Sequence, residues 1–270
     1  MLSRAGKNFP GRLALWAARG LGYPASMPSP PAVFFISDAH LGAEPEAAEA
    51  GRTRRLHDFF AWLPTVGSTL YVAGDLFDFW FEYPHAIPRR YFGTLSALSR
   101  LRDQGVEIHY LTGNHDFWLG EFLEREIGVT RHPSSVRLEL QGRRIYLHHG
   151  DGLVGGDLGY RVLRRILRNP VSVRLYQLVH PDLGIPLARA FSKLSRHAKG
   201  ERPLEAERLV REIAEPRFAE GFDTVIIGHF HHVFERREGG KEFFLLGDWI
   251  RHFTYLKLDA GRFALDAWSG

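Results

Sequence analysis

The chain has 270 residues, 44% hydrophobic and 24% charged, enough to bury a full core as one large α/β domain with an insertion and unlike a disordered or fibrous protein. It contains no cysteine, which excludes disulfides, thiolate-held zinc and iron–sulfur clusters and leaves oxygen and nitrogen donors for any metal. The formal net charge is only +4, so its placement matters more than its size. The positive residues collect between Arg161 and Arg202.

In chain order, residues 1–31 read as a tail or an extension ahead of a true start at Met27. Their apolar run, Leu13 to Ala18, is at the short limit for a signal peptide, and the Pro24 to Pro31 stretch follows it. From residue 32 onward, apolar β-rich runs alternate with helical patterns. The strands are expected at Val33 to Ile36, Leu70 to Ala73, Ile108 to Thr112, Ile145 to Leu147 and Val225 to Ile227. The helices are expected at Arg52 to Leu63, Ile87 to Asp103, Phe117 to Ile127 and Leu204 to Phe218. Such alternation predicts sheet covered by helices. The tail runs Glu242 to Leu246, Thr254 to Leu258 and Arg262 to Ala267, split by turns at Gly239-Gly240 and Asp259-Ala260-Gly261, predict a second, largely antiparallel sheet.

Residues 157–203 carry no strand signal. Tyr160, Leu163, Leu167, Val171, Leu175 and Leu178 recur at helical spacing, with Arg161, Arg164, Arg165 and Arg168 on the opposite side. Pro170 and Pro181 break the run, and Leu187, Ala190, Phe191 and Leu194 mark a second helical piece. This segment is read as a helical insertion, a lid beside a site, against the plainer alternative of an amphipathic hairpin packed on the core. No stretch reaches the roughly 20 apolar residues needed to span a bilayer.

Five polar blocks follow the core strands: Asp38-Ala39-His40, Gly74-Asp75, Gly113-Asn114-His115-Asp116, His149-Gly150-Asp151 and Gly228-His229-Phe230-His231. Together they offer carboxylate, imidazole and amide donors for two neighbouring cations, the apparatus for attacking a phosphate ester. On an extended backbone the two-residue spacing of Asp38 and His40 sends both side chains to one side, where they can grip one ion. Asp75, presented by a tight turn at Gly74, is assigned as the carboxylate bridging both ions. Asn114 offers a neutral oxygen to the second ion and His149 an imidazole. His229 and His231 supply one imidazole to each ion. His115 is read as the catalytic group beside the metals, a proton donor or a cation steadying phosphate. Asp116 and Asp151 are read as acceptors orienting a histidine, and His148 as a core residue. Any one block alone is ordinary, because Gly-Asp after a strand and a single buried histidine are common. Five in one order are not.

These blocks resemble the calcineurin-like metallophosphoesterase superfamily from Val33 to about Trp249. The resemblance implies a four-layer αββα sandwich and a pair of divalent metal ions, commonly Mn2+, with iron or zinc as alternatives. It implies that one ion takes Asp38, His40, Asp75 and His231 and the other Asp75, Asn114, His149 and His229. Within the superfamily, Ser37 to Gly42, Gly74 to Trp80, Gly113 to Phe117 and His149-Gly150-Asp151 with Asp157-Leu158-Gly159-Tyr160 resemble the UDP-2,3-diacylglucosamine pyrophosphatases of lipid A biosynthesis. That family cleaves a lipid-linked UDP-sugar to UMP and 2,3-diacylglucosamine 1-phosphate. The resemblance implies attack by a metal-bridging hydroxide, an acyl-binding lid, and work at the cytoplasmic face of the inner membrane as a peripheral protein. It implies substrate contacts from Trp80, Asn114, His115, Asp157, Tyr160, Ser195, Lys199, Arg202 and His229.

The chain departs from that family at His115, where the family often has arginine. The alternative is therefore a phosphoesterase of a dinucleotide, nucleotide or phosphoprotein. A nuclease is disfavoured because the insertion lacks a pattern of base-stacking aromatics, so no nucleic acid is expected as partner. A non-catalytic scaffold is disfavoured by the intact ligand set.

Overall fold

Alternation along the first strand dictates the architecture. In the computed structural model, which describes residues 31–154, 165–167, 169–187 and 205–270, β1 (Ala32–Ile36) is buried on both faces. Val33 and Phe35 point into one apolar cluster and Phe34 and Ile36 into another. A strand covered on both sides reads as a continuous apolar run.

The remaining strands are β2 (Gly67–Val72), β3 (Glu107–Leu111), β4 (Thr130–His132), β5 (Val136–Leu140), β6 (Arg143–His148), β7 (Thr224–Ile227), β8 (Val233–Glu238), β9 (Lys241–Leu246), β10 (Thr254–Asp259) and β11 (Arg262–Ala267). They form a six-stranded sheet of order β11-β10-β1-β2-β3-β4 and a five-stranded sheet of order β5-β6-β7-β9-β8. The inner faces meet through Phe35, Tyr71, Leu111, Leu147, Ile226 and Phe244. Helix α1 (Glu46–Trp62) and helix α2 (Phe92–Asp103) cover the first sheet, with Leu56, Phe59, Leu98 and Leu101 buried against Phe34 and Ile108. A helical run over 206–219, including a π turn at Val210–Ala214, covers the second through Leu209, Val210 and Ile213. The result is the expected αββα sandwich. Each fully buried Phe or Leu contributes about 1.5–3 kcal/mol of apolar burial.

Several elements differ from the sequence reading. The tail does not make a separate antiparallel sheet: β10 and β11 extend the first sheet, β10 antiparallel to β1, while β9 lies parallel to β7 in the second. Both sheets are mixed. Phe117 to Ile127 is not a helix but a loop ending in one π turn, Leu123–Ile127, because Glu82 accepts from the backbone N–H groups of Gly120 and Phe122 at 2.9 and 3.1 Å and holds the segment open. Helix α1 begins at Glu46, six residues earlier than expected, and α2 at Phe92, five residues later.

Within the insertion, helix α3 (Pro170–Gln177) and a helical stretch over 181–187 are described. Each proline starts a helix rather than ending one, since its fixed φ and missing N–H suit the first turn. Asn169 caps α3, accepting the Val171 N–H at 2.8 Å. The expected stripe faces outward: Val171, Leu175 and Leu178 are exposed, Leu178 to 82%. Val173, Tyr176 and Ile185 instead pack on Phe79, Phe81 and Tyr83 together with Trp118. The proposed start at Met27 and the tail lie outside the described residues.

Candidate metal centre

The parallel strands β1, β2 and β3, and β6 and β7 opposite, all end at one rim, and each continues into one of the polar blocks. The loops interlock there. Asp38 N–H donates to Gly74 O, His40 N–H to Asp75 O and Trp249 N–H to Asp38 O. This rim is where an open α/β sheet exposes strand carboxyl ends to a ligand.

The backbone that aims the side chains differs from expectation. Asp38, His40, Asp75, His229 and His231 all have positive φ, between 43° and 68°. The side chains of Asp38 and His40 therefore converge through left-handed kinks rather than strand alternation. Such conformations cost about 1–3 kcal/mol each for residues bearing a Cβ and concentrate at functional sites. The approach is too close for side chains at the intervening positions. A Cβ on Gly113 would lie 2.0 Å from Asp75 Oδ1, and one on Gly74, itself at φ +93°, would lie 2.6 Å from His149 Nδ1.

Three groups of donor atoms form, each within 4.8 Å: Asp38, His40 and His231; His40, Asp75 and His115; Asp75, His149 and His229. Asn114 joins the last, its Oδ1 3.2 Å from His149 Nε2. Shared residues link the groups into one centre, with Asp75 Oδ2 facing His40 Nε2 at 3.6 Å and His149 Nε2 at 3.2 Å. Each carboxylate has one oxygen tied to backbone and the other aimed inward. Asp38 Oδ2 accepts the His229 N–H at 2.8 Å, and Asp75 Oδ1 accepts the His115 N–H at 2.9 Å.

The donor set fits cations. Asp38 Oδ1 and His40 Nε2 are buried 3.6 Å apart without a hydrogen-bond partner, an arrangement that is costly unless a positive ion completes it. Burial works against charge on His40, yet Asp38, Asp78 and Asp75 outweigh it and hold its pKa up to about 10. Burial likewise opposes, and Asp75 overcomes, the rise of His149 well above its ordinary value. Burial also opposes ionisation of Asp75, but the imidazoles of His149, His115 and His40 hold its carboxyl well below the usual range. For His229, burial and the neighbouring His149 push the pKa down to about 3. The chain thus gathers negative charge that protons or metal ions must balance, and metal binding releases those protons.

The histidines share an orientation. His40 Nδ1 faces Asp78 Oδ1 at 3.4 Å, His149 Nδ1 faces the Ala73 carbonyl at 2.8 Å, and His231 Nδ1 faces Asp248 Oδ2 at 3.5 Å. In each case Nε2 is left toward the centre. His229 alone presents Nδ1 inward, 3.3 Å from His149 Nε2.

Two other expected residues, Asp116 and Trp80, are placed differently. Asp116 orients backbone rather than a histidine, accepting from Gly113 N–H at 2.7 Å, Leu76 N–H at 3.0 Å and the Tyr110 hydroxyl at 2.5 Å. Burial and the negative charge of Asp75 raise its pKa to about 6. Asp151 is buried, and its charge acts on His149 and His229. Trp80, expected at the substrate, is fully buried. It packs on Phe77, Tyr91 and Phe122 and donates to Glu82, because an indole with its N–H satisfied is a core element. His148 is buried, its Nδ1 accepting from Gly150 N–H. Asp157, Tyr160, Ser195, Lys199 and Arg202 lie outside the described residues.

Sequence reasoning missed Asp78 and Asp248. Asp78 follows Asp75 by three residues, and Gly247-Asp248 follows the apolar strand β9 as Gly74-Asp75 follows β2, so the same pattern marked it.

A cavity of about 760 Å3 is walled by Phe81, Tyr83, Phe117, Trp118, Phe122 and Val173, with Thr112 also in its lining. The segment that walls it begins where the Asn114-His115-Asp116 block ends. Trp118 also ties the insertion to the core, donating its indole N–H to the Leu167 carbonyl at 2.8 Å.

Residues 31–233 match the family described as calcineurin-like phosphoesterase. Curated relatives include a UDP-2,3-diacylglucosamine hydrolase of Porphyromonas gingivalis, 34% identical over 257 residues, covering 87% of this chain and 97% of that protein. One of the same name from Stenotrophomonas maltophilia is 32% identical, covering 86% and 96%. Among solved structures, the phosphoesterase Yfce of E. coli aligns at a TM-score of 0.44 and 17% identity, covering 88% of this chain and 93% of its own.

Proposed function

Because the chain belongs to the calcineurin-like phosphoesterase family, we propose that it hydrolyses the pyrophosphate of UDP-2,3-diacylglucosamine, releasing UMP and 2,3-diacylglucosamine 1-phosphate. Two observations support this reading: the donor cluster, and an aromatic-walled cavity whose lining includes Thr112 and Phe117, the residues flanking the Gly113 to Asp116 block. A phosphoester bond and an acyl chain can be held at once.

In this reading Asp38, His40, Asp75 and His231 hold one divalent ion, and Asp75, Asn114, His149 and His229 the other. Manganese is the proposed metal. A bound pair supplies Lewis acidity, lowering the pKa of water and offsetting charge on phosphoryl oxygens. The chain's own residues do the rest. Asp75 lies between the two donor groups and fixes their spacing. His115, its ring centroid 4.6 Å from that of His40, donates a proton to the departing oxygen or steadies the phosphoryl group. Phe81, Trp118 and Val173 exclude water from the acyl side.

The insertion is the lid of that cavity and the membrane contact. Among the described residues no helix is long and apolar enough to cross a membrane. Exposed Val171, Leu175, Leu178, Leu183 and Leu187, with Arg165 and Arg174 also exposed, have the chemistry of an interfacial surface on the cytoplasmic side of the inner membrane.

The test is mass spectrometry of products from purified protein, manganese and UDP-2,3-diacylglucosamine in oxygen-18 water, beside a dinucleotide pyrophosphate and a small phosphodiester. UMP carrying the label, with the lipid substrate preferred over both controls, is the expected result. Preference for a soluble control would transfer the site to that substrate class, and UDP as product would exclude pyrophosphate cleavage.

A further inference from the structure

His231 and Asp248 stand in a relation that the ligand assignment does not use. Asp248 is 3% exposed and follows β9 after Gly247. Its Oδ1 accepts three backbone N–H groups, from Ile250, Arg251 and His252, at 2.9, 2.7 and 3.1 Å. That oxygen anchors the carboxylate. Its Oδ2 faces His231 Nδ1 at 3.5 Å and His252 Nδ1 at 3.1 Å. On the far side of the same ring, His231 Nε2 faces Asp38 Oδ1 at 3.6 Å. The next residue, Trp249, donates its N–H to the Asp38 carbonyl, so one short segment holds both members of the pair.

We infer that Asp248 is a positioning residue that fixes the proton of His231 on Nδ1 and so presents the Nε2 lone pair to a divalent cation. A neutral imidazole carries one proton, and where a cation would take Asp38 Oδ1 and Nε2, the anchored Asp248 carboxylate holds that proton on Nδ1. The left-handed backbone of His231 does not by itself choose between ring faces. The carboxylate does. His231 is 37% exposed in its side chain whereas Asp38 is fully buried, so without Asp248 the ring has room to turn toward solvent. The same logic holds at His40 and His149, where Asp78 and the Ala73 carbonyl occupy the Nδ1 side. His231 differs in its exposure, since His40 and His149 are buried. The inference rests on the reading of His231 as a metal ligand.

Asp248→Asn is the informative variant. It keeps an oxygen for the three N–H groups but turns an amide N–H toward His231 Nδ1, which favours the other tautomer and places a proton where the metal must bind. Manganese titrated calorimetrically into metal-free protein should show one of two sites weakened by about 10–100-fold, with the metal-free melting temperature unchanged. His231→Ala should lose that same site. If His231→Ala keeps both sites, the ligand reading fails. If His231→Ala loses a site while Asp248→Asn binds both normally, this inference alone is overturned. Nitrogen-15 shifts of the His231 ring in metal-free wild-type protein provide a measurement independent of any variant's folding. A proton on Nδ1 is expected, and a bare Nδ1 would overturn the inference.

Discussion

Asp78 Oδ1 lies 3.4 Å from His115 Nδ1, and the Asp78 carbonyl oxygen lies 3.1 Å from the same nitrogen. The same carboxylate oxygen is 3.4 Å from His40 Nδ1. One anion thus orients a proposed ligand and a proposed proton donor, and both rings present Nε2 away from it. His115→Ala should reduce turnover by about 10²–10⁴-fold, the range for loss of a positioned acid, with both metals retained. His115 also belongs to a donor group with His40 and Asp75, so metal analysis must accompany the kinetics. Loss of one equivalent of metal would make His115 a ligand.

Asp75 and His40 each belong to two donor groups, but Asp75 is the anionic one, and its removal should be the most damaging single change. Asp75→Ala should lose the metal pair and fall to the assay blank. Gly113→Ala tests the same carboxylate without deleting it, since the new methyl would meet Asp75 Oδ1. It should destabilise the protein by about 1–3 kcal/mol and weaken metal binding. Normal activity in either variant would remove Asp75 from the centre.

The donor residues were legible because each polar block follows an apolar strand, and a parallel strand can deliver side chains only at its ends. The route was not legible. Asp38 and His40 were expected to converge by strand alternation, whereas both bend through positive φ, a conformation that spacing alone does not reveal. Asp248 lies outside the five polar blocks and meets His231 only through the pairing of β8 with β9. The tail strands were found but misplaced, since the antiparallel pairing of β10 with β1 joins residues more than two hundred positions apart. In the insertion, periodicity showed which leucines share a face but not which face meets the core. Aromatic packing of Tyr176 on Phe81 and Trp118 decided that.

Strain and charge at the centre predict a stability cost when metal is removed. Five left-handed residues and the clustered carboxylates of Asp38 and Asp75 make the centre costly to hold unless cations offset it. A ligand at 100 times its Kd stabilises by about 2.7 kcal/mol, which for a chain of this size is about 5–10 °C in Tm. Chelation should lower the Tm by that amount, with recovery on adding manganese. An unchanged Tm would show that the centre binds no metal under those conditions.

Away from the centre, His109 and His132 face each other with Nδ1 and Nε2 3.1 Å apart, and Tyr71 stacks on His109. Burial, His132 and Arg102 push the pKa of His109 down to about 4, and burial lowers that of His132. The unfolded chain therefore binds more protons than the folded one below the ordinary histidine value of about 6.5. Stability from this pair is full above pH 6.5 and is lost as the pH falls toward 4. The effect is on the order of 2 kcal/mol once partial solvent screening is allowed for. Urea unfolding at pH 7 and pH 5 should show it as a pH-dependent loss in the wild type that shrinks in His109→Phe. The variant comparison is needed because His40 and His149 titrate as well. A His109 pKa near 6.5 by NMR, or an undiminished pH dependence in His109→Phe, would show that the pair does not govern acid sensitivity.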